Sequence, residues 1–262
     1  MPLSSSITTD HFFEYQQSDL TKRQKKQAKR NKRQTELRCA NLPPSIRQIK
    51  AKTITQEKTI DAFNDNKNLL LHGSAGTGKT FLAMYLALNS VITGQAPKPI
   101  VIIRSIVPGR DIGFLPGSVK EKAAVYEAPY SAICGELILD KPNSYSWLKD
   151  KNYIEFATTS FLRGITYINN IIIVDECQNL NDGEINTIMT RVGDGCRIIF
   201  CGDFNQRDYL REGSGMPNLL KVAANMPSFT IVRFDHSDIV RSGFVREYIM
   251  TRSDLENRGV IA

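Results

Sequence analysis

The stretch NLLLHGSAGTGKTFLAMYLALNSVI, residues 68–92, decides the fold. Its first five residues are an apolar run of strand length. Its last twelve, 81–92, read as a helix. Between them GSAGTGKT, Gly73 to Thr80, has the spacing GxxxxGK[ST]. A strand, this loop and a helix in that order form a phosphate cradle rather than an ordinary glycine-rich turn. Gly73, Gly76 and Gly78 let the main chain turn so that its N–H groups, through Ser74, Ala75, Thr77 and on to Phe81, face phosphate oxygens. The helix N-terminus adds positive potential. Lys79 is then placed for the β and γ phosphates of ATP, and the Thr80 hydroxyl for Mg²⁺.

Working outward, further apolar runs follow at 99–104 (PIVIIR), 153–158 (YIEFAT), 170–175 (NIIIVD), 196–203 (CRIIFCGD) and 229–234 (FTIVRF). Continuous β-branched runs suit strands covered on both faces. Helical patterns lie between them at 118–138, 182–192 and 216–226. The alternation predicts an α/β fold, a mainly parallel sheet flanked by helices with right-handed crossovers. No repeat marks a second lobe of the same kind.

The segment IIIVDECQN, residues 171–179, sets two acids at the carboxyl end of a buried strand, the edge where open α/β sheets bind ligands. Asp175 suits support of Mg²⁺, directly or through its water. Glu176 suits orienting and deprotonating an attacking water. This pairing favours hydrolysis over transfer to a small molecule, since a kinase gains nothing from an activated water. CGDFNQRD, 201–208, ends another run at the same edge, and the Gln206 amide is a candidate to sense the γ-phosphate or that water.

Charge divides the chain in two. Residues 1–50 hold 11 Lys/Arg against 4 Asp/Glu, and residues 51–262 hold 23 of each. Thr21 to Gln34 carries eight basic residues, no acid and a single small apolar residue, Ala28. Such a segment has no face to bury, so residues 1–45, ending at Pro43-Pro44, are expected to be a basic arm and residues 46–262 a single ATPase domain. No run approaches the roughly 18 apolar residues of a membrane span, and no secretory leader is legible; a cytoplasmic protein is expected. Five scattered cysteines without a CxxC pair and three separated histidines suggest neither a disulfide framework nor a protein-bound structural metal.

Beyond these motifs the chain resembles the PhoH-like ATPases, relatives of superfamily 1 helicases with one RecA-type domain. The resemblance runs in order over about residues 50–252. It is carried by GSAGTGKTFLA, IIRSIVPGRDIGFLPGSVKEK, FATTSFLRGITYINNIIIVDECQN, TRVGDGCRIIFCGD, GSGM and FDHSDIVRSGFVREYI. It implies a RecA-type P-loop NTPase core and several further site residues. Arg104, Gly113, Pro116 and Gly117 match the loop after the second strand, Arg163 and Gly164 an RG pair, and Arg191 the end of a helix. Arg241 matches an arginine that meets the γ-phosphate in related helicases, and Gln56 resembles an adenine-contacting glutamine. The basic arm lies outside the family core, and Ser105 stands where many members have proline.

The resemblance and the arm together imply an ATPase stimulated by single-stranded RNA or DNA. The competing reading is an ATP-dependent switch or assembly protein whose arm docks on an acidic partner. A lone lobe leaves the γ-phosphate open on one side. A homo-oligomer, with a hexamer favoured by the resemblance, is expected to close it with Arg241 acting across the interface and Arg246 in reserve.

Overall fold

The computed structural model describes residues 45–94, 99–104, 119–141, 143–159, 162, 166–203 and 214–261. The described residues from Ser45 onward belong to one compact unit. Helix α1 (Ile54–Asn64) opens on Thr53, whose hydroxyl accepts from the Gln56 N–H, a side-chain cap for an otherwise orphan donor. Strand β1 (Asn68–Gly73) leads into α2 (Lys79–Ile92), and β2 (Ile100–Arg104) precedes α3 (Val119–Leu137). Then come the short α4 (Ser144–Asp150), β3 (Ile154–Thr158) and β4 (Ile171–Asp175). Helix α5 (Asp182–Met189), β5 (Arg197–Asp203), α6 (Met216–Ala224), β6 (Phe229–Phe234) and α7 (Gly243–Asn257) complete the order.

The six strands make one sheet in the order β3-β2-β4-β5-β1-β6, and every pairing is parallel. This is the RecA-type P-loop architecture that the sequence predicts, with β5 inserted between the phosphate-loop strand β1 and the acid-bearing strand β4. The strand period of two sorts the core. Leu69, Leu71, Ile100, Ile102, Ile171 and Ile173 join α2, α3 and α4 on one face. Leu70, Val101, Ile103, Ile172, Val174 and Phe200 join α5 and α6 on the other. Both faces are therefore dry. All five residues of β4 are buried, and each apolar one stabilises the fold by roughly 1.5–3 kcal/mol. Helix α2 is buried on almost every side, as expected of a helix that is apolar all round.

The six strands match the apolar runs to within one residue at either end. Three helices, α1, α4 and α7, carried no signal strong enough to stand out. The reason differs for each: α1 buries only Gln56, Thr59 and Phe63, α4 spans seven residues, and α7 is exposed along most of its length.

Candidate active site

Register brings the chemistry to one edge of the sheet. At the strand ends Gly73 lies level with Asp203 and with Phe234, and Arg104 level with Asp175. Gly73 leaves β1 at φ +123°, and a Cβ there would run into the Phe234 carbonyl. Only glycine meets both conditions. The loop then enters α2 through Gly78, which is left-handed.

Lys79 is 5% exposed, and a buried ammonium needs partners. Its Nζ donates to the Ser74 carbonyl at 2.7 Å and to the Gly73 carbonyl and Thr77 Oγ1 at 3.3 Å. It also pairs with Asp203 Oδ1 at 2.6 Å. The Thr80 hydroxyl donates to Asp175 Oδ1 at 2.8 Å. From α3 the Tyr130 hydroxyl donates to Asp175 Oδ2, also at 2.8 Å. Asp175 is itself almost fully buried, at 4% exposed.

Glu176 adopts φ +53°, ψ +39° immediately before a 3₁₀ turn, Cys177–Asn179. For a non-glycine residue that conformation costs on the order of 1–3 kcal/mol, and such strain collects at functional sites. The Gln178 amide donates to Glu176 Oε2 at 2.6 Å, and its carbonyl oxygen accepts from the Asp203 N–H at 3.2 Å. Gly202 makes room for this bridge, since a Cβ there would lie 2.9 Å from Gln178 Oε1. Burial, followed by the Asp175 charge, pushes the Glu176 carboxyl above the usual glutamate range. Gln178 and Arg104 pull only partly the other way. The Arg104 guanidinium is 3.9 Å from Glu176 Oε1.

The remaining predicted residues sort into three groups. Gln56 reaches the loop, but its amide is engaged within the chain: Nε2 donates to the Thr77 carbonyl at 3.3 Å, and Oε1 accepts from the Lys52 N–H at 2.8 Å. It staples α1 to the phosphate loop. Arg241 also reaches the loop, with its Cγ 3.1 Å from where a Gly76 Cβ would stand. Its stem thus packs on the loop of its own chain. Ser74 and Ala75 lie on the loop, and the Phe81 side chain packs against the core, which leaves its main chain for any phosphate contact. Arg191 is not brought to the site. It follows α5, which returns the chain to the amino-terminal edge, where its carbonyl accepts from the Tyr167 N–H. Gln206, Gly113, Pro116, Gly117, Arg163 and Gly164 lie outside the described residues.

Three residues escaped the sequence reading. Tyr130 sits within AVYEAPYSAI, where nothing marks it. Gln178 was legible only as part of DECQN. His236 joins the loop to α7: its Nδ1 is 3.3 Å from Ser74 Oγ and its Nε2 3.1 Å from Ser253 Oγ. The flanking acids of FDHSD are structural, because Asp235 and Asp238 cap the 3₁₀ turn His236–Asp238 reciprocally.

The chain is 32% identical over 204 residues to a PhoH-like protein of Bacillus subtilis (strain 168), a match covering 77% of this chain and 63% of that protein. It is 29% identical over 210 residues to a PhoH-like protein of Synechocystis sp., covering 80% of this chain and 63% of that one. It thus spans less than two thirds of the length of these curated relatives. Among solved structures, a large terminase from a thermophilic bacteriophage superposes with a TM-score of 0.48 at 13% identity, over 77% of this chain and 50% of that one. A likeness of that size says nothing of what this chain acts on. A family model described as PhoH-like protein matches residues 48–252, from ahead of the phosphate loop to within α7, and the chain belongs to that family.

Proposed function

We propose that the chain is a Mg²⁺-dependent ATPase whose turnover is coupled to single-stranded nucleic acid. The observation that carries this reading is the convergence of Lys79, Thr80, Asp175 and Glu176 on one sheet edge, with Thr80 Oγ1 2.8 Å from Asp175 Oδ1. A hydroxyl beside a buried carboxylate is an all-oxygen donor set of the kind that suits a hard cation. Thr80 and Asp175 would hold Mg²⁺, which when bound neutralises charge on the β and γ phosphates. Loop N–H groups orient the phosphates, and Lys79 exchanges Asp203 for a phosphate oxygen. Glu176 takes a proton from the water whose oxygen attacks the γ-phosphorus, and the bond to the bridging oxygen breaks towards ADP. Arg241, whose stem packs on the loop, is proposed to serve the phosphates, in cis or across a subunit interface. Gln56 is proposed to contact the adenine base, and Gln206 to sense the γ-phosphate or the attacking water.

Two further features support the wider reading. The eight basic residues of Thr21–Gln34 suit a phosphate backbone. Helix α7, beside the loop, exposes Phe244, Val245, Tyr248 and Met250, which suits a subunit contact in a homo-oligomer, proposed as a hexamer. Among the described residues no helix is long and apolar enough to cross a membrane. The test is ATP turnover with and without single-stranded RNA and DNA across a salt series. Turnover should rise with nucleic acid. Deleting residues 21–34 should flatten the log–log salt slope of binding by at most about 5 to 6, or roughly 0.7 for each of eight contacts. Turnover indifferent to both nucleic acids would favour an ATP-driven switch instead.

A further inference from the structure

From a single face, helix α3 reaches Asp175 directly and the arginine that faces Glu176. Tyr126 and Tyr130 are one turn apart and so project on the same side of the helix. The Tyr126 ring lies 5.8 Å from the Arg104 guanidinium, which faces Glu176. Tyr130 donates directly to Asp175 Oδ2. We infer that Tyr130 is a positioning residue for Mg²⁺, which sets the plane of the Asp175 carboxylate through that hydrogen bond; the inference rests on the Mg²⁺-dependent ATPase reading above.

The two oxygens of Asp175 have different partners: Oδ1 takes the Thr80 hydroxyl and Oδ2 takes Tyr130. A carboxylate held by one donor swings about its last torsion, whereas one held at both oxygens has a fixed plane. Oδ1 is thereby turned towards the phosphate loop, where a cation bound by Thr80 would sit. Tyr130 is itself fixed. It is fully buried, its ring packs at 6.0 Å from Phe156 of β3, and Cys134 and Leu137 anchor the next turns of α3 in the same core.

A phenol that merely needed an acceptor would be as well served by a main-chain carbonyl. Here its acceptor is the buried carboxylate of the metal site. Partners that orient a metal-binding carboxylate typically matter by about 10- to 100-fold in metal affinity or activity.

The test is Tyr130→Phe, which keeps the ring and removes the hydroxyl. A fluorescent ADP analogue is titrated against parent and variant, once with excess Mg²⁺ and once with EDTA, and the ratio of the two affinities is the readout. In the parent, Mg²⁺ should tighten binding. In the variant that gain should shrink by roughly 10-fold or more, with the EDTA affinity unchanged and half-maximal turnover shifted to higher Mg²⁺. Placed on Asp175→Ala, the same substitution should change the ratio no further. A variant with the parental ratio overturns the inference. Equal weakening with and without Mg²⁺ also overturns it, in favour of a packing role. A parent indifferent to Mg²⁺ would instead remove the ATPase reading itself, which keeps the two failures apart.

Discussion

Glu176 shows how much one residue's surroundings contribute to its chemistry. Its left-handed backbone turns the chain sharply at the end of β4, and the Gln178 bridge holds the carboxylate beside Asp175. The raised pKa has a testable sign. A general base works ionised, so turnover should fall as pH drops through the Glu176 pKa. The stability contribution runs with the proton. The folded state holds it more tightly than the unfolded one, so this group favours folding at low pH, and that contribution is lost as pH rises through the folded pKa. Glu176→Gln should slow hydrolysis by roughly 10²- to 10⁴-fold and abolish the inflection while nucleotide still binds. Lys79→Ala, by contrast, should weaken binding. Parental turnover in Glu176→Gln, measured by phosphate release, would remove its assigned role. The identities of Lys79, Thr80, Asp175 and Glu176 were legible in the sequence because their motifs are local. Tyr130 was not, because it lies 45 residues from Asp175 along the chain and only packing joins them.

Among the elements, the segment from β6 into α7 has a bracing role that its sequence concealed. Val240 N–H donates to the Gly76 carbonyl at 3.3 Å. Ile249 of α7 reaches within 3.2 Å of a Cβ placed at Gly76, and His236 spans from Ser74 to Ser253. The phosphate loop is thus braced from the C-terminal side as well as by Gln56 from α1. His236→Ala removes both contacts of the ring. At a net of about 0.5–1.5 kcal/mol for a hydrogen bond, nucleotide affinity should fall by roughly 2- to 10-fold. Ser253→Ala, far from the phosphates, should reproduce part of that loss. Calorimetric titration would detect it, and parental affinity in both variants would reduce the bridge to a surface contact. Helix α7 does carry Phe244, Val245, Tyr248 and Ile249 at helical spacing, but most of that face is exposed, so the pattern does not mark a core helix.

For the whole molecule, the Arg241 stem packs on the loop of its own chain, and we propose to test the trans role first on Arg246, which is exposed near the start of α7. In the proposed ring, Lys79→Ala subunits keep Arg246, and Arg246→Ala subunits keep the phosphate loop. Mixing the two inactive proteins should restore part of the ATPase activity. No recovery despite demonstrated subunit exchange would confine the active site to one chain. By itself the sequence determined the parallel α/β class, the six strands and the phosphate-binding and acidic motifs. Each of these is written in adjacent residues, through strand-length apolar runs and fixed motif spacings. Only the tertiary structure decided the strand order, which inserts β5 and so brings Asp203 between the loop and the acids. It alone decided that Gln56 and His236 brace the loop and that Tyr130 reaches Asp175. Those contacts join residues far apart in the chain, and their partners are chosen by which helix faces cover the sheet, a choice that no local pattern records.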